Sequence, residues 1–273
     1  MDFYLYEQFV TTINNNDREN FLKYLLLNYQ EEIDTKNKKY LIYKPHEKGI
    51  ELIIETTKVK KGQLDLNQML FHHFSNQEWD FKIVTPLTPF TNTYVVKRTN
   101  DTGSSIIRVV NEGVNEKGLK ENDIIKGQVC GIVMIADLYE SESDYRETIP
   151  TNKDGNKTIM NDGYLIPFNL LNNSNSKLTE EERNSRDHRR DNLLTFKAKL
   201  KNINQKQIKM FNMEVPDYYT ATIDTNFGEL DIIIPRSIAS KYKKEIKEGT
   251  VIIGELLLSC KIIKEKNTKK KKK

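Results

Sequence analysis

The stretch Leu194-Thr195-Phe196-Lys197-Ala198-Lys199-Leu200-Lys201 alternates apolar and polar residues without a break. Successive side chains on a strand point to opposite faces, so Leu194, Phe196, Ala198 and Leu200 face a core and Lys197, Lys199 and Lys201 face away. The chain continues in the same style. Over Tyr218 to Asp224, Tyr219, Ala221 and Ile223 point inward, and Thr225-Asn226-Phe227-Gly228 turns into Glu229 to Ile234, where Leu230, Ile232 and Ile234 face the core. Ile238, Tyr242 and Ile246 then recur at four-residue spacing, as on a short amphipathic helix. Thr250 to Ile263 closes the series as a long apolar strand region that bends at Gly254.

Working outward, Leu171 to Lys177 has linker composition, and Thr179 with Glu182 forms a capping-box pattern that opens a charged, solvated helix through Arg190. A domain boundary is therefore expected there. Upstream, Tyr40 to Lys44, Ile50 to Thr56, Phe81 to Val84, Tyr94 to Arg98, Ser105 to Val110 and Gln128 to Leu138 read as strands, while Leu64 to Phe74 fits helix and strand equally. At the N-terminus, Phe3, Tyr6, Phe9, Val10 and Ile13 recur at helical spacing. Asp17 then caps a second helix striped by Phe21, Leu22, Leu25, Leu26 and Tyr29. The expected class is α+β. An N-terminal helical hairpin and mostly antiparallel sheet fill residues 1–170, a linker and charged helix 171–191, a β-barrel 192–263, and a lysine-rich disordered tail 264–273.

The order strand, strand, strand, helix, strand, strand over Asn192 to Ile263 resembles the OB-fold, a small five-stranded barrel. The resemblance lies in element order, with no residue motif. A faint internal echo relates Asn122-Asp123-Ile124-Ile125-Lys126-Gly127-Gln128-Val129 to Lys244-Glu245-Ile246-Lys247-Glu248-Gly249-Thr250-Val251. It is read either as a trace of two related barrels or as ordinary turn chemistry before a buried strand.

Composition narrows the function. The 273 residues are 37% hydrophobic and 30% charged, enough apolar material for a sizeable core, with no apolar run long enough to span a bilayer. Two distant cysteines, Cys130 and Cys260, exclude a disulfide-dense module and a cysteine zinc cluster, and a reducing cytoplasm is the expected compartment. Net charge is +4, but residues 264–273 carry seven lysines and one glutamate, which leaves residues 1–263 at −2. The body is close to neutral and its basic character sits in an appendage.

No phosphate-loop, dinucleotide or nucleophile-elbow motif is present, and the four histidines lack metal-ligand spacing, so no cofactor, metal or catalytic residue is assigned. The expectation is a non-catalytic binding protein. Lysines beside an aromatic on the outer face of a barrel suit a single nucleic-acid strand, because charge tracks the backbone and rings stack on bases. Lys197, Lys199, Lys201 and Tyr218, with Lys269, Lys270 and Lys271 of the tail, are the candidate contacts. Two alternatives remain. One is a protein-interaction module, of inhibitor or immunity type, using the N-terminal sheet or an exposed edge. The other is a metal-dependent phosphodiesterase in which His188, between Asp187 and Asp191 in an arginine-rich segment, acts as the base.

Overall fold

The computed structural model describes residues 23–44, 49–58, 64–87, 92–98, 103–111, 118–151, 157, 159–168, 192–210 and 213–263. Four strands, β1 (Glu31–Asp34), β2 (Lys38–Tyr43), β3 (Ile50–Lys58) and β4 (Leu64–His73), form an antiparallel meander. Ten more form one larger sheet: β5 (Glu78–Pro86), β6 (Thr93–Arg98), β7 (Ser104–Val109), β8 (Ile124–Tyr139), β9 (Ile166–Pro167), β10 (Leu194–Lys199), β11 (Lys201–Met210), β12 (Met213–Thr225), β13 (Gly228–Pro235) and β14 (Val251–Ile262).

The expected α+β class does not hold: the chain is predominantly β. Its describable helices are short, covering residues 23–28, Glu142–Thr148 and the single turn Arg236–Ala239. No N-terminal helical hairpin packs on a sheet among the described residues. Its first helix and Phe21 and Leu22 of its second fall outside them, and of the remaining stripe Leu25 is buried while Leu26 stands exposed. The region Leu64 to Phe74, legible both ways, is strand β4, because β3 offers a partner along its whole length. The helix expected around Ile238, Tyr242 and Ile246 stops after one turn.

The large sheet closes on itself twice. β5 pairs with β6, β6 with β7, β7 runs parallel to β14, β14 is antiparallel to β8, and β8 returns to β5. That is a closed ring of five strands. The second ring starts from β10 and β11, one bent strand broken only at Leu200. It continues through β12 and β13, then a parallel contact to β8, and returns by way of β14 to β10. The two rings share the β8–β14 pair, which runs from Val251↔Tyr139 to Ile262↔Gly127. The segment 171–191 expected to divide two domains lies outside the described residues, and each ring takes one strand from the far side of it, β14 in the first and β8 in the second.

One contiguous apolar cluster fills the rings, from Trp79 and Phe81 in β5 to Phe196 in β10 and Leu230 in β13. A second cluster seats the meander on the outer surface of the second ring. Leu41, Tyr43, Leu52 and Ile54 meet Ile132, Ile233, Leu257 and Tyr218 there. Burying these side chains contributes roughly 1.5–3 kcal/mol each.

The structure pairs these segments differently from the sequence alignment, five residues further on. Asn122 and Gly249 occupy the same place, both at positive φ (70° and 85°), and each donates its N–H to the first strand of its ring. Asn122 N–H reaches Ile83 O at 2.9 Å, and Gly249 N–H reaches Leu200 O at 3.0 Å. The matched sequences are Leu119-Lys120-Glu121-Asn122-Asp123-Ile124-Ile125-Lys126-Gly127 and Ile246-Lys247-Glu248-Gly249-Thr250-Val251-Ile252-Ile253-Gly254.

Candidate functional site

The bent strand of the second ring makes a wide depression. Leu200 is pinned by its N–H to Thr250 O (2.9 Å) and by its O to Gly249 N–H, and the next residues cannot stay in register. Asn202 swings to φ 50°, a conformation asparagine tolerates, and a bulge separates the pairs Lys201↔Thr222 and Asn204↔Thr220. On the other side the chain leaves β13 at Pro235, makes one helical turn and loops back to β14. A cleft of about 870 Å³ opens between these two walls.

Asn202, Asn204 and Gln205 line one wall and Arg236, Tyr242 and Lys247 the other, with Tyr219 at the base. Tyr219 and Tyr242 are half-buried, whereas the amides, Arg236 and Lys247 are exposed. Asn204 Nδ2 donates to Asn202 O (3.0 Å), and Asn202 N–H donates to Glu248 Oε1 (3.3 Å), which braces the bulge. Lys244 and Lys247 both reach Glu140. These contacts hold the Lys244 ammonium above its ordinary range, chiefly through its hydrogen bond to Glu140. Arg236 has no ion pair among the described residues.

The four residues assigned to a nucleic-acid face within the ring do not come together. Lys197 lies on the outward side of β10, as alternation requires, but it is 2% exposed. The helix Glu142–Thr148 and the loop at Met160–Gly163 cover it. Its Nζ lies 2.8 Å from both Glu142 Oε1 and Asp162 Oδ1, donates to Met160 O, and stands 4.7 Å above the Tyr145 ring. Burial disfavours that charge, yet the hydrogen bonds to Asp162 and Glu142 prevail and hold its pKa above the usual lysine range. Tyr218 is 1% exposed under the meander, beside Tyr43 and Ile50, and burial pushes its phenol up to about 12.

Lys199 and Lys201 are exposed as expected. They line a smaller cleft of about 350 Å³ with Tyr164 and Asn226, and Lys201 pairs with Asp224 at 2.5 Å. Lys269, Lys270 and Lys271 lie outside the described residues, as do His188, Asp187 and Asp191. The meander proposed for a protein partner has one face occupied by the second ring.

A polar cluster that sequence reading missed sits where β4 crosses the shared strand pair. His72 Nδ1 is 2.9 Å from Ser259 Oγ, and its Nε2 is 3.3 Å from Gln128 Oε1. The Ser–His contact resembles an activated nucleophile, but both residues are 0% exposed, and Ser259 also donates to Phe71 O at 3.2 Å. Burial, followed by the charge of Lys261, lowers the His72 pKa to about 3. Cys130, packed against the same ring, is raised to about 12 by burial, so it is a thiol and not a nucleophile. This cluster fixes the seam.

Among the described residues no three histidine, cysteine or acidic side chains converge on a metal position, and no helix is long and apolar enough to cross a membrane. Comparison with protein-family models, with curated proteins and with solved structures finds no match to this chain.

The cleft left a signal in the sequence that alternation analysis passes over. Residues 201–210 hold three lysines and no acid, and residues 236–248 hold five basic residues against two acidic ones.

Proposed function

We propose that this protein is a non-catalytic single-stranded nucleic-acid-binding protein, and that the strand lies in the cleft between β11 and the β13–β14 connection. The observation that carries this reading is the segregation of charge. The segments 201–210 and 236–248 that bound the cleft together carry eight basic and two acidic residues, in a body whose net charge over residues 1–263 is −2, and the cleft itself is lined by Arg236, Lys244 and Lys247 with Glu245 and Glu248. Basic segments flanking a groove in an otherwise acidic molecule concentrate positive potential beside one path and attract a polyanion to it. Tyr219 and Tyr242 supply ring surfaces for stacking, and Asn202, Asn204 and Gln205 supply donors and acceptors that any base edge accepts. The five-strand connectivity of the ring, close to that of OB barrels with β8 standing in for the last strand, supports the same reading.

A groove that makes three or four phosphate contacts loses affinity for a single strand with a log–log salt slope of roughly −2 to −3. Fluorescence anisotropy with an oligothymidylate across a salt series measures that slope. Arg236→Glu with Lys247→Glu is expected to weaken binding about tenfold or more and to flatten the slope. Tyr242→Ala is expected to cost about 1–3 kcal/mol of binding at fixed salt, the usual worth of one stacked base. Removing residues 264–273 lowers affinity through lost long-range attraction. Binding that is absent, or indifferent to salt, overturns the reading.

A further inference from the structure

The chain builds the scaffold of this groove twice. Besides the Asn122 and Gly249 contacts, Ile83 N–H donates to Asp123 O at 2.8 Å and Leu200 N–H to Thr250 O at 2.9 Å. Asp123 N–H donates to Lys120 O at 3.1 Å, and Thr250 N–H to Lys247 O at 3.0 Å. The side chains repeat the pattern: Lys120 N–H donates to Asp123 Oδ2 (2.8 Å), and Lys247 N–H donates to Thr250 Oγ1 (3.1 Å). Each first strand is bulged just beyond its pinned residue, after Ile83 and after Lys201.

Gly127 faces Trp79 across the strands and Gly254 faces Phe196, and neither glycine has room for a Cβ. Each ring also takes its one parallel contact from the other's long strand, β14 beside β7 and β8 beside β13. So many coincident contacts define two copies of one unit, each lending its last strand to the other.

The copies differ where the groove is. In sequence, Val84–Thr93 follow Ile83 as residues 201–210 follow Leu200, and the former contain no charged residue. In sequence, residues 109–121 precede Asn122 as 236–248 precede Gly249. The former carry two lysines against three glutamates. Segments of that composition give a nucleic-acid strand few counterions to release.

We infer that the two rings are duplicates in which only the second holds nucleic acid, so one chain binds one strand and the first ring serves as scaffold. This rests on the function proposed above. The positions that set where the strand lies are then those at which the copies diverge in charge.

The test uses the full chain with an oligothymidylate of about six nucleotides, within the span one such barrel covers. Native mass spectrometry counts the bound strands, and anisotropy gives affinity. One oligonucleotide per chain at saturation is expected. Arg236→Glu with Lys247→Glu should lower affinity about tenfold or more, while Lys120→Glu, at the position equivalent to Lys247, leaves it within about twofold. All three side chains are exposed, and circular dichroism confirms that the variants fold. Two strands per chain, or an equal loss from Lys120→Glu, overturns the one-groove inference and leaves the nucleic-acid reading standing. No saturable binding by the intact chain overturns the nucleic-acid reading, and the inference falls with it.

Discussion

His72 has no accessible surface where β4 meets β8 and β14, and it stays neutral there because hydrogen bonds to the uncharged Ser259 and Gln128 do not replace the hydration of a buried imidazolium. Its folded pKa of about 3 lies below the ordinary 6.5, so the unfolded chain takes up a proton in a window where the folded chain does not. Stability is therefore full above about pH 6.5 and declines as pH falls toward 3. His73 adds to the same trend, since burial lowers it too, against a partial opposing pull from Asp231. Urea midpoints measured between pH 7 and 4 are expected to fall, and a His72→Gln variant to show a shallower fall; an unchanged slope would assign the effect to other groups. Lys197 gives a contrasting case, a charge that is used internally. Lys197→Met leaves Asp162 without this partner and Glu142 with Arg146 alone, and because both acids are partly exposed the expected loss is about 1–2 kcal/mol. Its salt slope for nucleic acid should not change, which separates Lys197 from the groove lysines.

The long strands β8 and β14 depend on two glycines at the crossing of the rings. A Cβ on Gly254 would lie 2.0 Å from Ile135 O, which is backbone and cannot yield. On Gly127 the nearest atom, at 2.2 Å, is Cys260 Sγ, the end of a side chain that can rotate. Gly254→Ala should therefore cost about 3 kcal/mol or more and Gly127→Ala about 1–2 kcal/mol, as overpacking does in tight interiors. Guanidinium unfolding of both variants orders them, and the reverse order would mean that the seam is looser than it looks. At this scale the sequence was legible where periodicity is local. The alternation through Leu194, Phe196, Ala198 and Leu200 is buried as expected, and so are Ala221, Ile223, Leu230, Ile232 and Ile234. What alternation cannot supply is the partner of each face. The outward face of β10 carries Lys197 as expected, yet a helix from more than fifty residues upstream covers it. Tyr218 points outward too and is roofed by the meander. Nor does period two carry information on the parallel contacts β7–β14 and β13–β8, whose partners lie about a hundred residues or more apart. The groove was illegible for the same reason, since its walls meet only after β11 bends.

At the scale of the whole molecule, the exchange of strands decides how the protein comes apart. Two domains joined by a linker unfold separately when each owns its core. Here neither ring is complete without a strand from the other: β8 supplies pairing to β5 and to β13, and β14 supplies it to β10 and to β7. Unzipping β8 from β14 opens both barrels at once, and the apolar cluster that runs through them is continuous. The cost of opening one ring therefore includes most of the cost of opening the other, which is the condition for a single cooperative unit. Native-state hydrogen exchange makes this measurable. Amides of Val96 and Ile106 in the first ring and of Ala221 and Ile232 in the second are expected to exchange through one opening of the same free energy and the same denaturant dependence. Amides of β1 and β11, farther from the shared pair, open at lower cost. Gly254→Ala, placed in the second ring, should then lower protection in the first by a similar amount. Protection lost in the second ring alone would show that the barrels are energetically separate despite their shared strands.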